Sequence, residues 1–158
     1  AVRAYEEAGA KAAIIAVGGS VGVYGEKSSG KPWSVAVRDP NGDGSLGSVT
    51  LAEGFISTSG SYEKYFKQDG VLYHHLLDPK TGYPAESGLV SVTVVAKSGV
   101  LSDALSTACF VLGREDGMKL LKEFDAEGIF INSDNNITVT DGLKDRFTRT
   151  SRDYTLVS

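Results

Sequence analysis

Two short stretches carry most of the residue types that do chemistry. In residues 102–109, Asp103 and Thr107 stand four apart, so a helix would place a carboxylate and a hydroxyl on one side. Oxygens of this kind suit a hard cation such as Mg²⁺, which takes a few protein oxygens and leaves its other positions to substrate phosphates. Each residue also has a local reading: Ser102 or Asp103 can cap the helix, and Thr107 can bond back to a carbonyl of the preceding turn. Residues 73–84 hold both histidines of the chain and two of its four prolines. His74 and His75 end a predicted strand, so they point to opposite faces, and one can reach a site while the other meets solvent or core. A neutral imidazole near pH 7 can act as a general base, with a purely structural role as the alternative for either ring. Asp78-Pro79-Lys80-Thr81-Gly82 reads as a turn with Pro79 at its second position.

Weaker signals lie upstream. Thr58-Ser59-Gly60 after a strand offers hydroxyls and free N–H groups to a phosphate. Gly18-Gly19 allows a ligand close to the backbone. Neither matches the P-loop or the dinucleotide fingerprint. Residues 39–44 imitate the first half of a calcium-binding EF loop, but the twelfth position is Thr50 rather than Glu and the flanks read as strands. That stretch is read as a plain loop.

The elements that must position these residues alternate between strands and late helices. Residues 2–8 have helical composition with Gly9 as a cap, and residues 12–17 and 21–24 form a strand–glycine–strand unit. Residues 32–38, 49–51 and 54–58 are further strands, with 27–31 and 39–47 as loops. Asp69-Gly70 marks a hairpin between 61–67 and 71–75. Residues 89–96 are a clear strand. Residues 100–113 read as a helix apolar nearly all round, hence buried, and 118–124 as a second, amphipathic helix. Residues 128–131 and 136–140 read as a closing hairpin. The pattern is α+β, a mostly antiparallel sheet with a buried helix pair. The division expected is a domain over residues 1–141 and a polar, partly disordered tail over 142–158.

Length and composition fit one domain with an ordinary core: 158 residues, with charged and apolar fractions typical of globular chains. The net charge of −4 with scattered basic residues argues against nucleic acid as a partner. No apolar run approaches the roughly 18 residues of a membrane helix. The single cysteine, Cys109, rules out an intrachain disulfide and reads as a buried inert thiol. The sequence starts at Ala1 without an initiator Met or signal-peptide pattern, so it reads as a processed chain or a fragment.

In this order and company, the pieces resemble the ApbE family of FAD:protein FMN transferases. The resemblance rests on Val17-Gly18-Gly19, on Thr58-Ser59-Gly60, and on His75-Leu76-Leu77-Asp78-Pro79-Lys80-Thr81-Gly82, which is similar to a His-x-x-Asp-Pro-(Arg/Lys)-Thr-Gly signature. Asp103-Ala104-Leu105-Ser106-Thr107 and Val111-Leu112-Gly113 complete it. It covers residues 5–140 and is similar to the C-terminal half of family members, with a fold related to the T-fold. It implies Mg²⁺-dependent transfer of FMN from FAD to a Ser or Thr hydroxyl of a target protein, with release of AMP. Asp103 and Thr107 would then hold Mg²⁺, with Asp103 and His75 as catalytic residues. Gly18, Gly19, Thr58, Ser59, Gly60, His75, Asp78, Thr81 and Gly82 would contact the flavin nucleotide or hold its loops. Three further expectations follow from the resemblance: an N-terminal half that completes the domain, an extracytoplasmic location, and inactivity of this piece by itself. Two other readings stay open, an FAD pyrophosphatase giving FMN and AMP, and a non-catalytic flavin-binding domain.

Overall fold

The computed structural model describes residues 2–157. In chain order, helix α1 (Val2–Glu7) precedes the hairpin β1 (Ala13–Val17) and β2 (Ser20–Tyr24). Strands β3 (Trp33–Arg38), β4 (Ser45–Leu51) and β5 (Gly54–Gly60) follow, then the hairpin β6 (Tyr65–Gln68) and β7 (Val71–His74), and then β8 (Leu89–Ala96). Helices α2 (Gly99–Leu112) and α3 (Arg114–Glu123) come next. The chain closes with β9 (Glu127–Asn132), β10 (Asn136–Val139), a 3₁₀ turn (Asp141–Leu143), β11 (Phe147–Arg149) and β12 (Thr155–Val157).

Seven strands form the central sheet in the order β1-β2-β5-β8-β9-β10-β12, antiparallel except for the parallel β10–β12 pair. A three-stranded sheet, β11-β4-β3, packs on one face, and α2 and α3 pack on the other. Strand alternation divides the core accordingly. Ile56, Val95, Ile129, Ile131 and Ile137 share one cluster with Val35, Val37, Leu46, Val49 and Leu51 of the small sheet. Val92, Val94, Ala96 and Phe130 share the other with Leu105, Cys109 and Phe110 of α2 and Leu121 of α3. Full burial of a side chain such as Phe110 contributes about 2–3 kcal/mol. The α+β reading therefore holds.

Four expectations need correction. Helix α2 is buried along one face rather than all round: Val100 and Leu112 are exposed, and Ser102 and Ser106 are among its buried residues. Helix α3 starts at Arg114, not near 118, because only Gly113, with φ +83°, interrupts the helical run. Strand β4 starts at Ser45, inside the expected loop. The stretch 142–157 is not a disordered tail: β11 pairs with β4, β12 pairs with β10, and Leu143, Phe147 and Tyr154 lie in the core. Tyr154 is fully buried and its hydroxyl donates to Asp39, while Asn41 Nδ2 donates to the same hydroxyl at 3.0 Å. Burial, reinforced by the Asp39 carboxylate, pushes the Tyr154 phenol up to about 12.

Candidate active site

Helix α2 is capped by Ser98, whose hydroxyl accepts from Leu101 N at 3.4 Å. Asp103 therefore stands a full turn inside the helix and has no capping role. Thr107 does not bond back along the helix either. That is done by Ser102 to the Gly99 carbonyl at 3.0 Å and by Ser106 to the Asp103 carbonyl at 2.9 Å. The local explanations for Asp103 and Thr107 thus both fall away. What replaces them comes from the sheet, because Ser57 and Ser59 of β5 point at the helix.

Ser59 Oγ lies 2.8 Å from Ser106 Oγ and 3.0 Å from Thr107 Oγ1. Ser57 Oγ lies 2.8 Å from Ser102 Oγ and donates to Ser20 Oγ at 2.8 Å. Ser20 in turn reaches Asp103 Oδ1 at 3.4 Å. The match is geometric: two residues along a strand span about 6.6 Å, and four along a helix rise about 6 Å. A double row of hydroxyls thus runs between β5 and α2 and emerges at Asp103 and Thr107, both of which are exposed. Sequence reasoning missed Ser20, Ser57, Ser102 and Ser106 as members of this site. Their signal was the spacing of 57 and 59 against 102 and 106, which says nothing until β5 is known to lie under α2.

The remaining candidates fall in two other places. Gly18, Gly19 and Thr58 line a cleft of about 280 Å³ between the central and small sheets, with Arg38, Tyr62 and Glu63. Thr58 and Ser59 point to opposite faces of the sheet, and Thr58 bonds Thr93 at 2.8 Å rather than joining the serines. Gly18 takes φ +58°, which favours glycine, and Gly19 lies tight against the Thr58 carbonyl. Gly60 lies directly beneath the Tyr62 ring.

His75 and its loop form the third place. Strand β7 ends with His74 buried, edge-on to Phe110 at 5.5 Å, and His75 exposed, as the alternation requires. His74 Nδ1 accepts from Leu76 N at 3.3 Å, which leaves the proton of the neutral ring on Nε2. Burial holds the His74 pKa below its ordinary value, aided by His75 and opposed by a backbone bond with Ala85. His75 Nδ1 lies 3.3 Å from the Lys64 carbonyl. A carbonyl only accepts, so Nδ1 donates there, and in the neutral ring Nε2 is the nitrogen that carries the lone pair. Asp78, Thr81 and Gly82 shape the turn. The Asp78 carbonyl accepts from Thr81 N and Gly82 N, Asp78 Oδ1 accepts from Lys80 N at 2.8 Å, and Gly82 takes φ +72°. Leu76 and Ala85, at the two ends of this loop, share a cluster with Leu105, Cys109 and Phe110 of α2. Among the described residues no hydrogen bond links the loop to Asp103 or Thr107. Cys109 is buried, with its thiol pushed up to about 12 by burial.

Fold and site together define an α+β domain with an oxygen-rich helix face, a glycine-walled cleft and a histidine presented on a tight turn. The sequence model described as the ApbE family matches residues 1–130, and the chain belongs to that family. It is 43% identical over 117 residues to the FAD:protein FMN transferase of Treponema pallidum, covering 72% of this chain and 32% of that protein. It is 34% identical over 148 residues to an FAD:protein FMN transferase of Klebsiella pneumoniae, covering 92% of this chain and 45% of that protein. Among solved structures, the apo form of the flavinyl transferase ApbE of Pseudomonas stutzeri matches with a TM-score of 0.77 at 32% identity, over 95% of this chain and 48% of that one. The chain thus spans less than half the length of these relatives.

Proposed function

We propose that this chain supplies one half of an FAD:protein FMN transferase, in which Asp103 and Thr107 hold Mg²⁺ and His75 serves the acceptor hydroxyl. The observation that carries the reading is that Asp103 and Thr107 have no helix-local role, yet stand exposed one helical turn apart on the same side of α2. The donor set suits a hard cation, being carboxylate and hydroxyl oxygen without sulfur or imidazole. Among the described residues no group of three or more His, Cys, Asp or Glu converges, so the other ligand positions fall to phosphate, water or oxygens from elsewhere. When bound, Mg²⁺ would neutralise charge developing on the pyrophosphate.

The chemistry asked of the chain's own residues is then modest. A Ser or Thr hydroxyl of the acceptor protein attacks the FMN phosphorus of FAD, an O–P bond forms, and the bond to the AMP phosphate breaks. The hydroxyl proton passes to His75 Nε2, which the Lys64 carbonyl leaves free by holding Nδ1–H. The cleft at Gly18, Gly19 and Thr58 lets a nucleotide approach the backbone. Analysis of products from FAD and Mg²⁺, with and without an acceptor protein, tests this. FMN esterified to the acceptor together with free AMP is expected. Free FMN and AMP at the same rate without acceptor would instead make the activity a pyrophosphatase.

A further inference from the structure

We infer that Ser59 is a positioning residue: it takes the hydroxyl proton of Thr107 and so leaves that oxygen's lone pairs for a cation. The inference rests on the metal role proposed above. Ser59, Ser106 and Thr107 bring one hydroxyl proton each, and together they have three contacts to fill: Ser106 to the Asp103 carbonyl, Ser59 to Ser106, and Ser59 to Thr107. A carbonyl only accepts, so Ser106 spends its proton on Asp103. Ser59 must then donate to Ser106, and Thr107 must donate to Ser59. No other assignment fills all three.

The consequence is electronic. An oxygen that binds a cation must offer a lone pair and send its proton elsewhere. A helical threonine ordinarily divides between rotamers, one of which bonds the carbonyl of the preceding turn. Ser106 already occupies the Asp103 carbonyl, and Ser59, almost fully buried, gives the Thr107 proton one fixed destination. In the neighbouring row, Ser20 donates to Asp103 Oδ1 at 3.4 Å. One row draws a proton away from Thr107, and the other steadies Asp103 Oδ1, while Oδ2 accepts no hydrogen bond among the described residues. Both arrangements leave an acceptor oxygen on exposed residues one helical turn apart on α2.

The test uses Mn²⁺ as the probe, titrated by electron paramagnetic resonance into the wild-type chain and into Ser59→Ala, Ser59→Thr and Asp103→Asn. Three-bond couplings to the Thr107 methyl report its rotamer without any metal. Ser59→Ala should weaken Mn²⁺ binding about 10-fold, the lower end for a lost outer partner, and should average the Thr107 coupling. Ser59→Thr keeps the hydroxyl and should restore both. Unchanged Mn²⁺ affinity in Ser59→Ala, where Asp103→Asn loses it, overturns the role of Ser59 alone. A wild-type chain whose Mn²⁺ binding survives Asp103→Asn overturns the metal reading and the role of Ser59 with it.

Discussion

Replacement of Asp103 by Ala should separate function from stability. The side chain is exposed, caps nothing, and receives one long hydrogen bond from Ser20 at 3.4 Å. Loss of that bond costs about 0.5–1 kcal/mol. Alanine recovers roughly 0.5 kcal/mol through its higher helix propensity. The net change is within about 0.5 kcal/mol, or roughly 1–2 °C in melting temperature for a domain of this size. Catalysis should suffer on another scale. Asp103 is the one charged member of the proposed ligand set, and its loss should exceed the 10- to 100-fold range found for outer-shell partners. Thermal melts of the chain, and AMP release from FAD at fixed Mg²⁺ by the full-length protein, give the two readings. A variant with the wild-type Mg²⁺-dependent rate would refute the metal assignment. One destabilised by several kcal/mol would make Asp103 a structural residue instead.

Other positions offer independent checks. His75→Ala should lower the transfer rate more than it weakens FAD binding, and equal losses in both would make His75 a binding residue. His74 has a depressed pKa through burial, so the unfolded chain takes up protons that the folded chain resists. Stability is complete above the ordinary imidazole pKa near ~6.5 and falls as pH drops through that value toward the lower folded one. Melts at pH 7.5 and 5.5 should show this loss in wild type and a smaller one in His74→Gln, and equal losses would contradict it. Tyr154→Phe should cost about 1–3 kcal/mol in chemical denaturation, because Asp39 and Asn41 lose their shared partner. The phenol pKa is raised, so its contribution is present below about 10 and is lost as pH rises toward about 12. An alkaline loss of the same size in the variant would exclude Tyr154 as its source.

Much of this architecture is legible locally. Asp69-Gly70 announces its hairpin because both residues take positive φ, +51° and +81°. Strand β8 is readable as a valine-rich run broken only by Ser91 and Thr93, and it is buried on both faces. Asp103 and Thr107 are readable as a pair because helical spacing alone puts them on one side. The C-terminal stretch was illegible for the opposite reason. Strands β11 and β12 are three residues each, and their partners β4 and β10 cannot be inferred from a polar sequence. Tyr154 gains its meaning only from Asp39, 115 residues away. Thr58 and Ser59 separate for the same kind of reason: adjacent strand residues face opposite layers, one toward the cleft and one toward α2.

The central claim is that this chain carries a nucleotide–metal site built on Asp103 and Thr107. Calorimetric titration of the 158-residue chain with FAD, with and without Mg²⁺, tests it most directly. The expected result is binding that tightens when Mg²⁺ is present. Binding of equal strength in both conditions, or none in either, would contradict the claim for this chain.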